Sequence, residues 1–172
     1  MNIFITGAES TGKSTLTEQL SKHFNVPCVP EFARDYISSL NRPYDISDLK
    51  IIGKEQIFQI RENHSKNLVL FDTGLVITYV WYEVKYGYVP NWLQQALPVH
   101  GNGKYLVCEP DLPWEPDPLR ENPTLREELN SRYIRIIRDY GFEWDLVKGS
   151  GKERFAQAVR IVEHWMPGQG SK

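Results

Sequence analysis

The stretch that decides the fold is Asn2-Ile-Phe-Ile-Thr-Gly-Ala-Glu-Ser-Thr-Gly-Lys-Ser-Thr15, followed by LTEQLSKHF. Asn2 to Thr6 is a short apolar run of the kind a buried strand uses. Gly7-x-x-x-x-Gly12-Lys13-Ser14 comes next. Lys13 to Phe24 then carries Leu16, Leu20 and Phe24 on one helical face. A strand, a glycine-bounded loop and a helix are the context in which this spacing forms a phosphate-binding loop. Glycines let the backbone wrap an anion, successive N–H groups point inward, and the helix N-terminus adds its dipole. The expected nucleotide-binding residues are Gly7, Glu9, Ser10, Thr11, Gly12, Lys13, Ser14 and Thr15. Lys13 should reach the outer phosphates and Ser14 should hold Mg²⁺.

Outward from this loop, β-rich runs alternate with helical ones. Val26 to Pro30 reads as a weak second strand and Phe32 to Leu40 as a short helix. Asp45 to Lys66 reads as a longer helix, capped by Ser47 or Asp45. Leu68 to Asp72 is a third strand, Thr73 to Tyr86 an apolar helix and Lys104 to Glu109 a fourth strand. Glu143 to Lys148 is a fifth strand, and a last helix runs from about Lys152 to Met166. Continuous apolar strands separated by helices predict a three-layer α/β P-loop NTPase fold, a five-stranded parallel sheet with helices on both faces. Residues 1–166 are expected to form one domain and 167–172 a tail.

Ligands of such a sheet bind at the carboxyl ends of its strands. After the second strand stands Glu-Phe-Ala-Arg-Asp-Tyr, Glu31 to Tyr36. A carboxylate there can take the proton of an attacking hydroxyl, so Glu31 is the candidate base, with Asp35 and Asp72 as the alternatives. Arg34, Asp35 and Tyr36 are candidate substrate-binding residues beside it. The third strand ends on Asp72, which resembles a Walker B acid and is expected to share the metal site with Ser14 and to border the substrate. As an alternative, Asp72 caps the helix that follows.

After the fourth strand comes PDLPWEPDPLRENPTLREEL, Pro110 to Leu129, whose prolines break both helix and sheet. Residues from about 110 to 126 are expected to form a lid over a bound triphosphate. Trp114, Asp117, Arg120 and Arg126 are its candidate residues, and Arg120 is the catalytic one, neutralising charge that builds during transfer. The bland reading is a surface loop whose arginines pair with its own acids. GSGKERF, Gly149 to Phe155, lacks the spacing of a second phosphate loop and reads as a turn near the base of the nucleotide. The aromatics between Tyr79 and Trp92 are expected to be mainly core, with one or two lining the pocket.

A net charge of −2 gives no long-range attraction to nucleic acid. No apolar run approaches a membrane span. MNIFITG starts a strand directly and leaves no room for a signal peptide, so a cytoplasmic domain is expected. Cys28 and Cys108 sit in apolar strand-like runs and are expected to be buried, reduced thiols. Oligomeric state is left open.

GAESTGKSTL, PEFARDYI, LFDTGLVITYVWYEVKYG and PDLPWEPDPLR together resemble the ribosylnicotinamide kinase domain of bacterial NAD-salvage proteins. The resemblance covers nearly the whole chain. It implies transfer of the ATP γ-phosphate to the 5′-hydroxyl of nicotinamide riboside, giving nicotinamide mononucleotide, with Mg²⁺ as cofactor. In some bacteria that domain is fused to an adenylyltransferase and a repressor; only the kinase role is expected to carry over. Two departures stand out. A tryptophan often precedes the family's glutamate where Pro30 stands here, and the lid's Asp-Gly becomes Asp117-Pro118.

Other acceptors, such as deoxynucleosides, fit the same motifs. A GTP-dependent switch does not: no Asn/Thr-Lys-x-Asp follows the fourth strand, and Leu75 stands where a switch places glycine after Asp72. A nucleic-acid-dependent ATPase is disfavoured by the near-neutral charge and small size.

Overall fold

The computed structural model describes residues 1–166; the expected tail at 167–172 lies outside the described residues. Strands β1 (Asn2–Gly7), β2 (Cys28–Val29), β3 (Val69–Asp72), β4 (Lys104–Cys108) and β5 (Glu143–Val147) form one sheet in the order β2-β3-β1-β4-β5. Every pairing is parallel. The helices are α1 (Lys13–Phe24), α2 (Phe32–Ser39), α3 (Ile46–Glu62), α4 (Leu75–Tyr86), α5 (Asn91–His100), α6 (Arg126–Asp139) and α7 (Gly151–Trp165). The three-layer P-loop architecture expected from the sequence is the one found.

The central strand shows why. Residues on β1 alternate between two faces, and both are buried. Ile3 and Ile5 pack with Leu16 and Leu20 of α1 and Ala158 and Val162 of α7. Phe4 faces the other way, its ring 5.0 Å from that of Phe71 and 5.1 Å from that of Tyr105. That second core continues into α3, α4, α5 and α6 through Ile52, Val80, Leu93 and Ile137. The chain fills the sheet on one side of β1 before crossing to β4 on the other. The crevice at the strand carboxyl ends therefore opens above β1.

Several local expectations are corrected. Helix α4 begins at Leu75 with Gly74 as its N-cap, so Asp72 ends β3 and caps nothing. Helix α3 is capped by Asp45, whose side chain accepts from Ser47 N at 2.8 Å while Asp48 reciprocates. Helices α5 and α6 occupy segments to which the sequence reading assigned none. Helix α5 begins after Pro90 and contains Pro98, and proline obscures helical spacing. Helix α6 begins at Arg126, so the lid ends one residue earlier than expected. Cys108 is buried, but Cys28 is exposed, because β2 is a two-residue strand at the sheet edge.

Candidate active site

The loop after β1 depends on two glycines for different reasons. Gly7 has φ 150°, and a Cβ there would stand 2.8 Å from the Cys108 carbonyl oxygen of the adjoining strand. Gly12 is the N-cap of α1 at φ 73°, in the left-handed region. Between them, Thr11 Oγ1 donates to the Ala8 carbonyl at 2.8 Å. Lys13 Nζ donates to the same oxygen at 2.9 Å, which holds the ammonium across the loop. A cavity of about 430 Å³ opens here, lined by Gly12, Lys13 and Ser14 of the loop together with Glu31, Arg34 and Trp81. A volume of this size suits small-molecule ligands.

Glu31 is the N-cap residue of α2 in position only, since its side chain makes no capping bond. Burial pushes its carboxyl above the usual carboxylate range, Lys13 pulls it back, and the charge of Asp72 pushes it up again. Asp72 is likewise raised by burial, against the Ser14 hydroxyl and the Lys13 charge. Lys13, Glu31, Asp72 and Ser14 thus share one electrostatic neighbourhood drawn from three strand ends. A carboxylate of raised pKa beside a cation in a cavity is a recurring mark of a working group.

The donor set fits Mg²⁺. Asp72 Oδ1 is buried and has no hydrogen-bond partner, and the Ser14 hydroxyl lies beside the carboxyl. Among the described residues no cluster of three or more His, Cys, Asp or Glu side chains forms a metal cage. Mg²⁺ needs none, because it is held by one or two protein oxygens together with phosphates and water.

Residues 110–125 lie over the loop and are tied to it. Arg34 of α2 pairs with Asp117, which also accepts from Leu119 N at 2.9 Å. The Leu119 amide, then Arg34, hold the Asp117 carboxyl below its usual range. Ser10 Oγ accepts from Glu115 N at 2.9 Å and donates to the Pro113 carbonyl at 3.2 Å. Arg120 borders the cavity, hydrogen-bonds the Glu115 carbonyl and sits 5.9 Å from the Trp114 ring. Arg126, expected to be a lid arginine, is a fastener at the start of α6. It donates to the carbonyls of Glu9, Ser10 and Leu112 at 3.2, 3.1 and 2.9 Å.

The structure does not bring every candidate to the cavity. Asp35 is exposed on α2. Tyr36 donates its hydroxyl to Asp48 Oδ1 at 2.8 Å, in a network with Arg42 that anchors the start of α3. Of the aromatic run, Trp81 lines the cavity, whereas Tyr82 is core. One residue escaped the sequence reading altogether. Buried Arg154 of α7 donates to the Thr11 carbonyl at 2.9 Å, Asp111 Oδ1 at 2.8 Å and the Gly149 carbonyl at 2.8 Å. It joins the phosphate loop, the root of the lid and the β5–α7 turn. No local pattern announces an arginine that ties its own turn to two distant segments.

A parallel sheet with this loop after its first strand and an acid ending the adjacent strand define a P-loop nucleotide-binding domain. Residues 2–154 match the family model described as AAA domain (AAA_28), and the chain belongs to that family. It is 25% identical over 177 residues to the trifunctional NAD biosynthesis/regulator protein NadR of Salmonella typhimurium, covering 98% of this chain and 43% of the relative. The chain thus spans under half the length of that relative. A crystal structure of NadR protein in complex with NR superposes with a TM-score of 0.78 at 22% identity, over 99% of this chain and 53% of that one. A deoxyadenosine kinase from M. mycoides, with products dCMP and dCDP bound, superposes with a TM-score of 0.67 at 15% identity, over 95% of this chain and 100% of that one. The likeness to NadR bears out the resemblance to bacterial NAD-salvage proteins drawn from the motifs.

Proposed function

We propose that this protein is a phosphotransferase that moves the γ-phosphate of ATP to the 5′-hydroxyl of a nucleoside, and that its acceptor is nicotinamide riboside. The observation that carries the reading is the shared cavity, lined both by Lys13 of the phosphate loop and by Glu31, whose side chain makes no capping bond at the head of α2. A hydroxyl lying between them has a phosphate to attack and a carboxylate to receive its proton. Mg²⁺ on Ser14 and Asp72 would supply charge neutralisation and orientation of the phosphates. Lys13 and Arg120 then stabilise the charge on the transferring group, and the lid excludes water from it. Phosphoryl transfer is largely a matter of positioning, so Glu31 also orients the sugar.

The preference for nicotinamide riboside is supported by charge. Its pyridinium ring is cationic, and the acceptor side offers the Glu31 carboxylate and the Trp81 ring. Arg34, which lines the same cavity, is already paired with Asp117. NadR, the NAD-biosynthesis relative, supports the same substrate class. The likeness to a deoxyadenosine kinase supports the coarser reading, a kinase of another nucleoside. The test is kcat/KM for nicotinamide riboside against uridine, cytidine and deoxynucleosides, with ATP and Mg²⁺, scored by ADP release. Nicotinamide riboside is expected to lead. A neutral nucleoside as the better substrate would overturn the salvage reading and leave the generic kinase.

A further inference from the structure

Glu9 stands at a variable position of the phosphate loop, where a carboxylate facing a triphosphate would repel it. Its two oxygens are occupied elsewhere. Oε1 accepts from Glu121 N at 3.1 Å and Oε2 from Asn122 N at 2.9 Å, two consecutive lid amides more than a hundred residues away. Charge-assisted bonds from a carboxylate to backbone N–H groups are stronger than neutral ones. Arg120 immediately precedes that amide pair. On its other side Asp117 is fixed by Arg34 and by Leu119 N. The Ser10 hydroxyl binds the same segment further back, at Glu115 N and, more weakly, at Arg120 Nη1, 3.4 Å away. The backbone around Arg120 is therefore held from both sides, and on the downstream side the holder is the phosphate loop's own carboxylate.

We propose that Glu9 is a positioning residue, a latch that closes the lid on the phosphate loop and thereby sets Arg120 against the transferring phosphate. Two variable residues of the loop, Glu9 and Ser10, thus bind the lid through their side chains, while Gly12, Lys13 and Ser14 are left for the nucleotide. A displacement of about 1 Å at a charge-stabilising group costs up to roughly a hundredfold in rate, so a loosened latch acts on kcat rather than on ATP affinity. The positioning role rests on the phosphotransfer reading; the latch itself does not.

Two measurements on the full chain test the two parts separately. The first is amide hydrogen exchange without substrates, read at Glu121 and Asn122 in wild type, Glu9→Gln and Glu9→Ala. Protection should fall about tenfold or more in Glu9→Ala and less in Glu9→Gln, which keeps one acceptor oxygen. Unchanged protection in Glu9→Ala overturns the latch. The second is a double-mutant cycle in kcat with Arg120→Ala. Glu9→Ala should lower kcat about tenfold with little change in the KM for ATP, and should cost nothing further once Arg120 is gone. Losses that multiply independently overturn the positioning role, as does a pure KM effect. Glu9→Gln, the milder change, serves both arms should Glu9→Ala melt below the assay temperature. A protein that turns over no nucleoside overturns the phosphotransfer reading and the positioning role with it, and the exchange arm still decides the latch.

Discussion

The floor of the cavity and its lid are built on opposite principles. The floor consists of strand ends. Gly7 is paired in register with Cys108 of β4, and Ile5 with Asp72 of β3, so backbone hydrogen bonds of a buried sheet position Lys13 and Asp72. The lid, residues 110–125, has prolines where a sheet would need donors. It is held by side chains: Glu9, Ser10, Arg34 and Arg126. Cooperative backbone ladders make the floor open only with the whole fold. The lid's fasteners are separate side-chain contacts rather than a cooperative ladder, and an exposed ion pair such as Arg34–Asp117 adds little by itself. Under the proposed phosphotransfer, a rigid floor beneath a side-chain-held lid would let the lid exclude water during transfer and release product afterwards.

The comparison breaks most decisively at Lys13. Lys13→Ala should lower kcat by about 10³-fold or more while the variant still folds cooperatively, since the loss in rate comes from the charge on the phosphates and the apolar core is untouched. Intact turnover in a folded variant would remove the floor's assigned role. Arg120→Ala tests the lid. It should lower kcat about 10²-fold and raise the KM for ATP by much less, because its charge matters as the transferring phosphate gains charge. A change confined to KM would make Arg120 a ground-state contact, and no change in either constant would leave the lid as a surface loop.

A smaller effect is expected at Asp72. Asp72→Asn should raise the Mg²⁺ concentration for half-maximal rate about tenfold. Because Gly74 caps α4, the melting temperature should not show the loss of a helix cap. Metal dependence that stays put would detach Asp72 from the metal site. The smallest effect is the pH dependence of stability at Glu31. Its folded pKa is raised by burial, so the stability it contributes is present below the unfolded value of about 4.3 and is lost as pH rises through the folded value. Glu31→Gln should therefore melt higher than wild type at pH 7, with the difference shrinking towards pH 4, and should lose most activity. The wild-type acid limb of kcat/KM should lie above pH 4.3. A variant that melts lower at pH 7 would mean that the carboxylate is held by favourable partners and is not free to act as a base.

Much of this was legible because the floor is written locally. Gly7-x-x-x-x-Gly12-Lys13-Ser14 between an apolar run and a helical one forms the same loop wherever it occurs, and the apolar runs ending at Asp72 and Cys108 carry the pattern of strands buried on both faces. Local geometry and burial periodicity act over a few residues, so the sequence by itself determined the sheet, its parallel sense, the phosphate loop and the acid at the end of β3. It misjudged Cys28, because a two-residue edge strand leaves exposed what an apolar run suggests is buried. It overlooked α6, whose Leu129, Tyr133, Ile136 and Ile137 keep helical spacing behind a proline-rich stretch. Only the tertiary structure decided that Glu31 and Arg34 face the cavity while Asp35 points to solvent and Tyr36 binds Asp48. It likewise made Arg126 a fastener, gave Arg154 partners on the phosphate loop and at Asp111, and bound the Glu9 carboxylate to the lid amides. The physical reason is range: these roles depend on hydrogen bonds between segments far apart along the chain, whose partners are set only when the sheet brings the strand ends together.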